Sequence, residues 1–319
     1  MKILFLTHSY PNYVPDLLLH GLRKIFGPEV VDFPRKDCLY EGVIGLGICP
    51  DDQRCPGWFP QDGNLIDRED LSTKLSKDYF DLIVADCRTK PWEHPLLAHG
   101  KQRLVIIDGE DKPYAVPLGP WVVCRRETDG SDFSIPLPMA LPDEILQWIS
   151  RFDGMGKKYS IGFLGSTHDG ERRRIVEQLA SRYASPLLQA TSVPSEDSPL
   201  PEGRLGRDDY YRNLQQCRVV LSLPGAGWDT FRFWENAACN AVHVSANFPL
   251  FIPNDFDQGT HILRFTHIQD LIRQVDDVLQ HWDMQQSLIG MGRYHLTQWH
   301  LTSCRAKYFI DRVSRVFER

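Results

Sequence analysis

The chain has 319 residues, of which 42% are hydrophobic and 24% are charged, and its formal net charge at pH 7 is −6. These values are typical of a globular protein, and the length predicts two domains of about 150 residues each. The net negative charge argues against a nucleic-acid partner, because neutralising phosphates requires a concentrated basic surface. The nearest candidate is the run Arg172-Arg173-Arg174, which is equally typical of a solvated helix face.

The N-terminal sequence and the cysteines predict a cytoplasmic protein. The apolar part of MKILFLTH is too short for a signal peptide, and the sequence has no apolar stretch long enough for a transmembrane span. Four cysteines lie in apolar segments typical of free cytosolic thiols, namely Cys87, Cys124, Cys217 and Cys239. Cys49 and Cys55 are close together, but no CxxC motif or His pair accompanies them, so no structural metal is predicted.

The first half of the chain alternates predicted strands and helices. Strands are predicted at 2–7, 30–33, 81–86, 103–107 and 121–124, with helical patterns at 18–26 and 68–77. The segment 34–64, rich in Gly, Pro, Asp and Cys, is predicted to be a surface insertion. The alternation predicts a parallel sheet with helices on both faces, in which His8, Asp86 and Asp108 lie along one edge.

The segment 133–142 contains three prolines, and neither a helix nor a strand is expected to run through it. We therefore predict two domains, 1–145 and 155–302, followed by an amphipathic last helix at 303–319. In the second domain, strands are predicted at 159–164, 219–223 and 241–246, with a helix at 210–216 and a mobile loop at 191–207. Thr266 and Gln269 have capping-box spacing, which predicts the start of a further helix.

The stretch 217–247 carries the strongest indication of a ligand site. A buried strand is followed by a glycine loop, by a helix that starts at Phe231 and by a second strand. Glycines let a ligand approach the backbone, and a helix N-terminus attracts anions, so a phosphate-bearing ligand is predicted here. The candidate binding residues of this stretch are Pro224, Gly225, Gly227, Thr230, Phe231, Arg232 and Glu235.

A second loop predicts further phosphate or acceptor contacts. Gly165 and Ser166 follow the strand at 159–164, and next comes a helix in which Arg172 or Arg173 is expected to reach a diphosphate. Gly162 and Gly165 do not form a dinucleotide fingerprint, because the third glycine and the ribose-binding acid are missing at the expected spacing. A nicotinamide cofactor is therefore not expected.

The sequence LSLPGAGWDTFRFWENAACNAVHVS resembles the donor-site segment of exostosin-type glycosyltransferases through its Pro-x-Gly, its Arg-Phe-Trp-Glu and the strand that follows. The resemblance implies the GT-B fold, in which two Rossmann-like domains face each other and a C-terminal helix crosses back to the first. By position, it implies that Glu235 binds the ribose or sugar of a nucleotide-sugar donor and that Arg232 binds its diphosphate. The acceptor would be a saccharide or another hydroxyl compound.

Inverting glycosyl transfer requires a base that deprotonates the acceptor hydroxyl. The candidates are His8, after the first strand, and Asp108, Glu110 and Asp111, after another strand. A retaining enzyme would not need such a base, and the stereochemistry stays open.

A metal role is not expected. The motif Asp255-Phe-Asp257 matches the Asp-x-Asp metal site of single-domain glycosyltransferases, but it lies in a sequence with turn chemistry. The two-domain class binds diphosphate through helix ends and basic side chains, so we expect neither a metal nor another cofactor.

Two other functions fit the same pattern. A nucleotide-sugar isomerase or hydrolase would use the same donor contacts, with water as the nucleophile in the hydrolase. A non-catalytic binding protein would retain the donor pocket and lack the acceptor base.

Overall fold

The computed structural model describes residues 1–42, 57–61, 65–97, 103–166, 170–191 and 205–318. The chain forms two compact units. The first consists of Met1–Pro142, Leu250–Pro253 and Leu301–Arg319, and the second of Asp143–Pro249 and Asn254–His300. Each unit has its own parallel sheet.

In its described residues, the first unit has six strands and three α-helices. The strands are β1 (Ile3–Leu6), β2 (Val30–Phe33), β3 (Leu82–Asp86), β4 (Leu104–Asp108), β5 (Val122–Arg125) and β6 (Ile135–Pro136). The helices are α1 (Tyr13–Phe26), α2 (Leu71–Ser76) and α9 (Thr302–Phe317). The strand order is β2-β1-β3-β4-β5-β6, and all pairs are parallel.

The central strands of this sheet are the apolar runs of the sequence. All residues of β1, β3 and β4 are buried, as expected for strands covered on both faces. Because β3 lies between β1 and β4 in parallel register, His8 after β1, Asp86 in β3 and Asp108 in β4 follow the same edge of the sheet. This prediction is confirmed.

Two predictions for the first unit are wrong. The segment 34–64 was expected at the surface, yet in its described parts Cys38, Leu39 and Tyr40 are only 1% exposed and Phe59 is 5% exposed. A bridge between Tyr40 and Phe59 ties the two parts together, which lets their apolar side chains reach the core. The proline segment was expected to lack a strand, but it contains the short strand β6 at the sheet edge, a position that tolerates proline.

The C-terminal helix α9 belongs to the first unit and packs on α1. Gly21 allows the close approach, because a Cβ atom at this position would lie 2.1 Å from the Thr302 carbonyl oxygen. The buried His20 imidazole Nδ1 and the Thr302 hydroxyl form a hydrogen bond of 2.9 Å.

The second unit is built on five strands, β7 (Tyr159–Ser166), β8 (Leu187–Thr191), β9 (Cys217–Ser222), β10 (Val242–Ala246) and β11 (Leu263–Phe265). Its helices are α3 (Asp143–Ser150), α4 (Gly170–Arg182), α5 (Arg207–Gln215), α6 (Phe231–Ala238), α7 (Ile268–Gln280) and α8 (Gln286–Trp299). The strand order is β11-β10-β9-β7-β8. Aliphatic side chains of β7, β9, β10, α4 and α7 form the core of this unit.

One helix start differs from its prediction. Helix α7 begins at Ile268 with His267 as its N-cap residue, so the capping box expected at Thr266 and Gln269 is wrong. The sequence patterns also did not predict β8, β11, α3 and α8.

The four cysteines that were expected to pack as free thiols, Cys87, Cys124, Cys217 and Cys239, are buried and free. Cys49 and Cys55 lie outside the described residues. No helix within the described ranges has the length and apolar character needed to cross a membrane.

Candidate active site

The predicted donor residues lie at the ends of two adjacent parallel strands of the second unit. Strand β7 ends at Gly165 and Ser166 and pairs with β9, which leads into the loop of Pro224, Gly225 and Gly227. The Gly225 amide donates to the Gly227 carbonyl oxygen over 2.9 Å, so the loop turns back on itself. Parallel strands present such loops at their carboxyl ends, where ligands bind in α/β folds.

Helix α6 starts directly after this loop. Thr230 is its N-cap residue, with extended backbone, and Phe231 is its first helical residue. The buried Asp229 accepts a hydrogen bond of 2.9 Å from the Trp234 indole nitrogen, which fixes the loop to the helix. The helix N-terminus is therefore held beside the glycine loop.

Arg172 of α4 joins the two strand ends. Its guanidinium donates 2.7 Å from Nη1 to the Ser166 carbonyl and 2.9 Å from Nη2 to the Leu223 carbonyl, and it also contacts the Pro224 carbonyl. The residue is only 4% exposed. Arg173, which was also expected to reach the diphosphate, lies exposed on α4, so the arginine that contacts the two loops is the buried Arg172.

Arg232 of α6 lies against the end of β7. Its Nε donates 2.6 Å to the Leu164 carbonyl, and its Cζ lies 4.9 Å from the centre of the Phe163 ring. Gly165 makes this position possible, because a Cβ there would lie 2.1 Å from Arg232 Nη2. The Arg172 Cζ lies 5.5 Å from the same ring, so two guanidinium groups share this strand end.

Glu235, one helical turn further along α6, is buried. Its Oε1 accepts a hydrogen bond of 2.8 Å from the Tyr211 hydroxyl, and its Oε2 accepts one of 2.9 Å from the Tyr210 hydroxyl. Burial raises the pKa of Glu235, while the tyrosine hydroxyls and the Arg232 charge lower it. The two tyrosines were not predicted as site residues, since nothing in the pattern of α5 distinguishes them from core aromatics.

The first-unit candidates for a base differ in their surroundings. Asp108 is fully buried and accepts hydrogen bonds from Arg125 Nε at 3.0 Å, from the Tyr114 amide at 2.8 Å and from the Glu110 amide at 3.3 Å. Glu110 forms a two-pronged ion pair with Arg88. These contacts favour structural roles for both carboxylates.

His8 and Asp111 are the more accessible candidates. The Asp111 side chain is 48% exposed and lies 2.8 Å from Arg126 Nη1. His8 is half-buried, and its Nδ1 accepts a hydrogen bond of 3.2 Å from the Tyr10 amide. A neutral imidazole that accepts at Nδ1 carries its proton at Nε2, so His8 presents a donor in this arrangement.

A buried polar network that the patterns did not identify lies beside these candidates. Asn12 Nδ2 donates over 3.3 Å to both Asp86 Oδ2 and Glu110 Oε1. Asp86 also accepts a hydrogen bond of 2.9 Å from the Arg88 amide, and burial raises its pKa. The network fixes the loops that follow β1, β3 and β4.

The Asp-x-Asp motif does not resemble a metal site here. Asp255 Oδ1 lies 2.6 Å from Arg264 Nη2, so its charge is already paired. The Asp257 side chain is 77% exposed, and its Oδ2 lies 3.6 Å from His261 Nδ1. Within the described part of the chain, no group of three or more His, Cys, Asp or Glu side chains is arranged to hold a metal ion.

Comparisons with known proteins include a family match that contains Arg172, Arg232 and Glu235. Residues 172–311 match a family model described as glycosyl transferase-like. No curated protein matches the chain.

Several solved structures share the fold of the whole chain. The chain is similar to Alr3699/HepE from Anabaena in complex with UDP, with a TM-score of 0.60 and 13% identity over 99% of this chain and 100% of that chain. It is also similar to a glycosyltransferase from Rickettsia africae ESF-5, with a TM-score of 0.61 and 8% identity over 100% of this chain and 99% of that chain. Sucrose-phosphate synthase (tll1590) from Thermosynechococcus elongatus has a TM-score of 0.53 and 13% identity over 100% and 99% of the respective chains.

At these identities the structural likeness establishes the fold, and the predicted fold class is confirmed. The chain has the GT-B fold, and its residues 172–311 match the glycosyl transferase-like family model.

Proposed function

We propose that this protein is a glycosyltransferase that moves a sugar from a nucleotide-sugar donor to an acceptor hydroxyl, with the donor bound by the second unit. The observation that carries this proposal is the placement of Arg232 and Glu235 on α6 beside the glycine loop, inside the region that matches the family model. The positive charge of Arg232 suits the anionic diphosphate of the donor, and the carboxyl group of Glu235 suits the hydroxyls of its ribose or sugar.

The diphosphate is assigned to the N-terminus of α6 and to Arg232. Guanidinium groups bind phosphate with charge-assisted hydrogen bonds, and the N-terminus of a helix adds a favourable dipole. Gly165 leaves space for the terminal nitrogens of Arg232 at the end of β7. Arg172 holds the carbonyls of both loops, so its role is to position the loops around the phosphates.

Glu235 is assigned to the hydroxyls of the ribose or of the donor sugar. An ionised carboxylate accepts hydrogen bonds and donates none, which suits a ligand rich in hydroxyl groups. HepE was solved with UDP and with UDP-glucose, so UDP-sugars are the first donors to test.

Three finer features belong to the same proposal. The likeness of the Arg232 to Glu235 segment to exostosins supports an exostosin-like donor site. Diphosphate binding by α6 and Arg232, together with the ion pair between Asp255 and Arg264, supports metal-independent transfer. The buried free cysteines support a cytoplasmic location.

The acceptor base is proposed to come from the loops after β1 and β4. The burial and three hydrogen bonds of Asp108 favour a scaffold role, so His8 and Asp111 are the principal candidates. To act as a base at Nε2, His8 would have to adopt its other tautomer and lose the hydrogen bond from Tyr10.

The experiment is product analysis of UDP-sugars incubated with the protein, with and without saccharide acceptors, beside an Arg232→Ala control. The expected result is UDP release coupled to a new glycoside, lost in the control. Free sugar as the sole product would indicate a hydrolase, and a rearranged nucleotide sugar would indicate an isomerase. Tight nucleotide binding without turnover would indicate a binding protein.

A further inference from the structure

Two neighbouring tyrosines of α5 hold one buried carboxylate of α6. The Tyr211 hydroxyl lies 2.8 Å from Glu235 Oε1, and the Tyr210 hydroxyl lies 2.9 Å from Glu235 Oε2. The two rings meet edge to face, with their centres 5.1 Å apart. Successive side chains on a helix diverge by about 100°, so both rings reach the carboxylate only because it lies between them.

The hydrogen-bond pattern fits an ionised Glu235. An ionised carboxylate accepts at both oxygens, whereas a protonated carboxyl group donates from one of them. Burial raises the pKa of both tyrosines well above the usual range, so their hydroxyls keep their protons and donate. Each carboxylate oxygen therefore receives one hydrogen bond and retains a further acceptor position.

Several groups on α5 and α6 act on the charge of Glu235. Burial favours its protonated form and raises its pKa, and the groups that lower the pKa are Tyr211, Arg232, Tyr210 and Arg207. Cys239, the residue that follows α6, is a further titratable neighbour; its Sγ donates to the Glu235 carbonyl, and burial keeps it a thiol. The tyrosines are the members of this set that bond directly to the carboxylate.

We propose that Tyr210 and Tyr211 are positioning residues that keep Glu235 as an ionised, doubly held acceptor for a cis-diol, such as the ribose of the donor nucleotide. The inference rests on the proposed function for its ligand. The two remaining acceptor positions, one on each oxygen, match the two adjacent hydroxyls of a ribose. The tyrosines fix the plane of the carboxylate before the ligand arrives, which lowers the entropic cost of binding.

A purely structural role would give a different result. If the hydrogen bonds only brace α5 against α6, removing the hydroxyls should weaken folding without changing the UDP affinity of the folded protein or the pH dependence of that affinity. The pH dependence of UDP binding therefore distinguishes the two roles.

The test uses Tyr210→Phe, Tyr211→Phe and the double variant. The Glu235 carboxyl is observed by ¹³C NMR in glutamate-labelled full-length protein and assigned with Glu235→Gln. Tyr183→Phe is the matched control, because Tyr183 also donates to a carboxylate, that of Asp276, over 2.9 Å. UDP affinity is measured by calorimetry from pH 6 to 9 on the same proteins.

The expected result is a Glu235 titration that moves to higher pH in the α5 variants and stays in place in the control. Loss of one hydrogen bond should weaken UDP binding about tenfold near neutral pH, with recovery as the pH rises and the carboxylate ionises. An unmoved titration, or an affinity loss that is equal at every pH, would overturn the inference. If the wild-type protein binds no nucleoside diphosphate, the proposed function fails, while the NMR titration still decides whether the tyrosines hold the charge.

Discussion

Gly165→Ala is expected to damage the donor site while leaving the fold largely intact. The new Cβ would lie 2.1 Å from Arg232 Nη2 and 2.5 Å from its Cζ, so the guanidinium must move. The obstructed atoms are the far end of a flexible side chain, and the movement costs little backbone strain. It does remove Arg232 from the Leu164 carbonyl and from the Phe163 ring.

The magnitudes follow from these contacts. A hydrogen bond from a charged group contributes about 1.5–3 kcal/mol, and a guanidinium over an aromatic ring contributes about 0.5–1 kcal/mol at a partly exposed site. The displaced guanidinium regains water, so we expect the free energy of unfolding to fall by only about 1–2 kcal/mol. If Arg232 binds the diphosphate, losing that contact should weaken UDP binding about 10- to 150-fold.

The assay is a double-mutant cycle of Gly165→Ala and Arg232→Ala, read by UDP calorimetry and urea unfolding. Because both changes remove the same contact, the double variant should bind no more weakly than Arg232→Ala alone. Gly156→Ala is the matched control, since no described atom lies within 4 Å of its new Cβ. Wild-type affinity in Gly165→Ala, or losses that add in the double variant, would refute the assignment of Arg232.

Three further predictions concern the carboxylates, the metal and the base. Glu235→Gln should weaken UDP binding about 10- to 150-fold, because it removes a charged hydrogen-bond acceptor. Burial raises the pKa of Glu235, so the ionised carboxylate destabilises the folded state, and the substitution should not lower the free energy of unfolding at pH 7. Exposed Glu177→Gln is the calorimetry and unfolding control, and unchanged affinity in Glu235→Gln would remove the residue from the site. Turnover should persist in excess EDTA. A loss of turnover that Mn²⁺ or Mg²⁺ restores would instead indicate that the motif 255–257 binds a metal ion. If His8 or Asp111 is the base, its substitution by Ala should reduce kcat about 10²- to 10⁴-fold. If both variants keep kcat within a few-fold of the wild-type value, an inverting mechanism that uses either residue is refuted.

The strands that the sequence predicted best are the ones with the simplest physical cause. Strands β1, β3, β4 and β9 each contain a short apolar run, and such runs are typical of parallel strands that are buried on both faces. Strand β6 and the buried part of the 34–64 segment were missed because tertiary contacts determine them. Tyr40 is buried by pairing with Phe59, a contact between residues that are distant in sequence.

The sequence predicted the parts of the site that depend on neighbouring residues in the chain. It did not predict the contacts that depend on packing between helices. The glycine loop and the start of α6 follow from the order of residues around Pro224 and Phe231. The choice of Arg172 over Arg173 depends on which side chain of α4 faces the sheet, and adjacent helical residues cannot both do so. The tyrosine contacts of Glu235 depend on how α5 packs on α6, which sequence spacing alone does not encode.

The most direct test of the donor site is a calorimetric titration of UDP, UMP and uridine. A screen of nucleoside diphosphates comes first and identifies the preferred nucleobase. Arg232 and the N-terminus of α6 are assigned to the diphosphate, so the nucleoside diphosphate should bind at least tenfold more tightly than the monophosphate. Arg232→Ala should remove most of that preference. Equal affinities for the two nucleotides, or a preference that survives Arg232→Ala, would contradict the assignment of this segment to a nucleotide-sugar diphosphate.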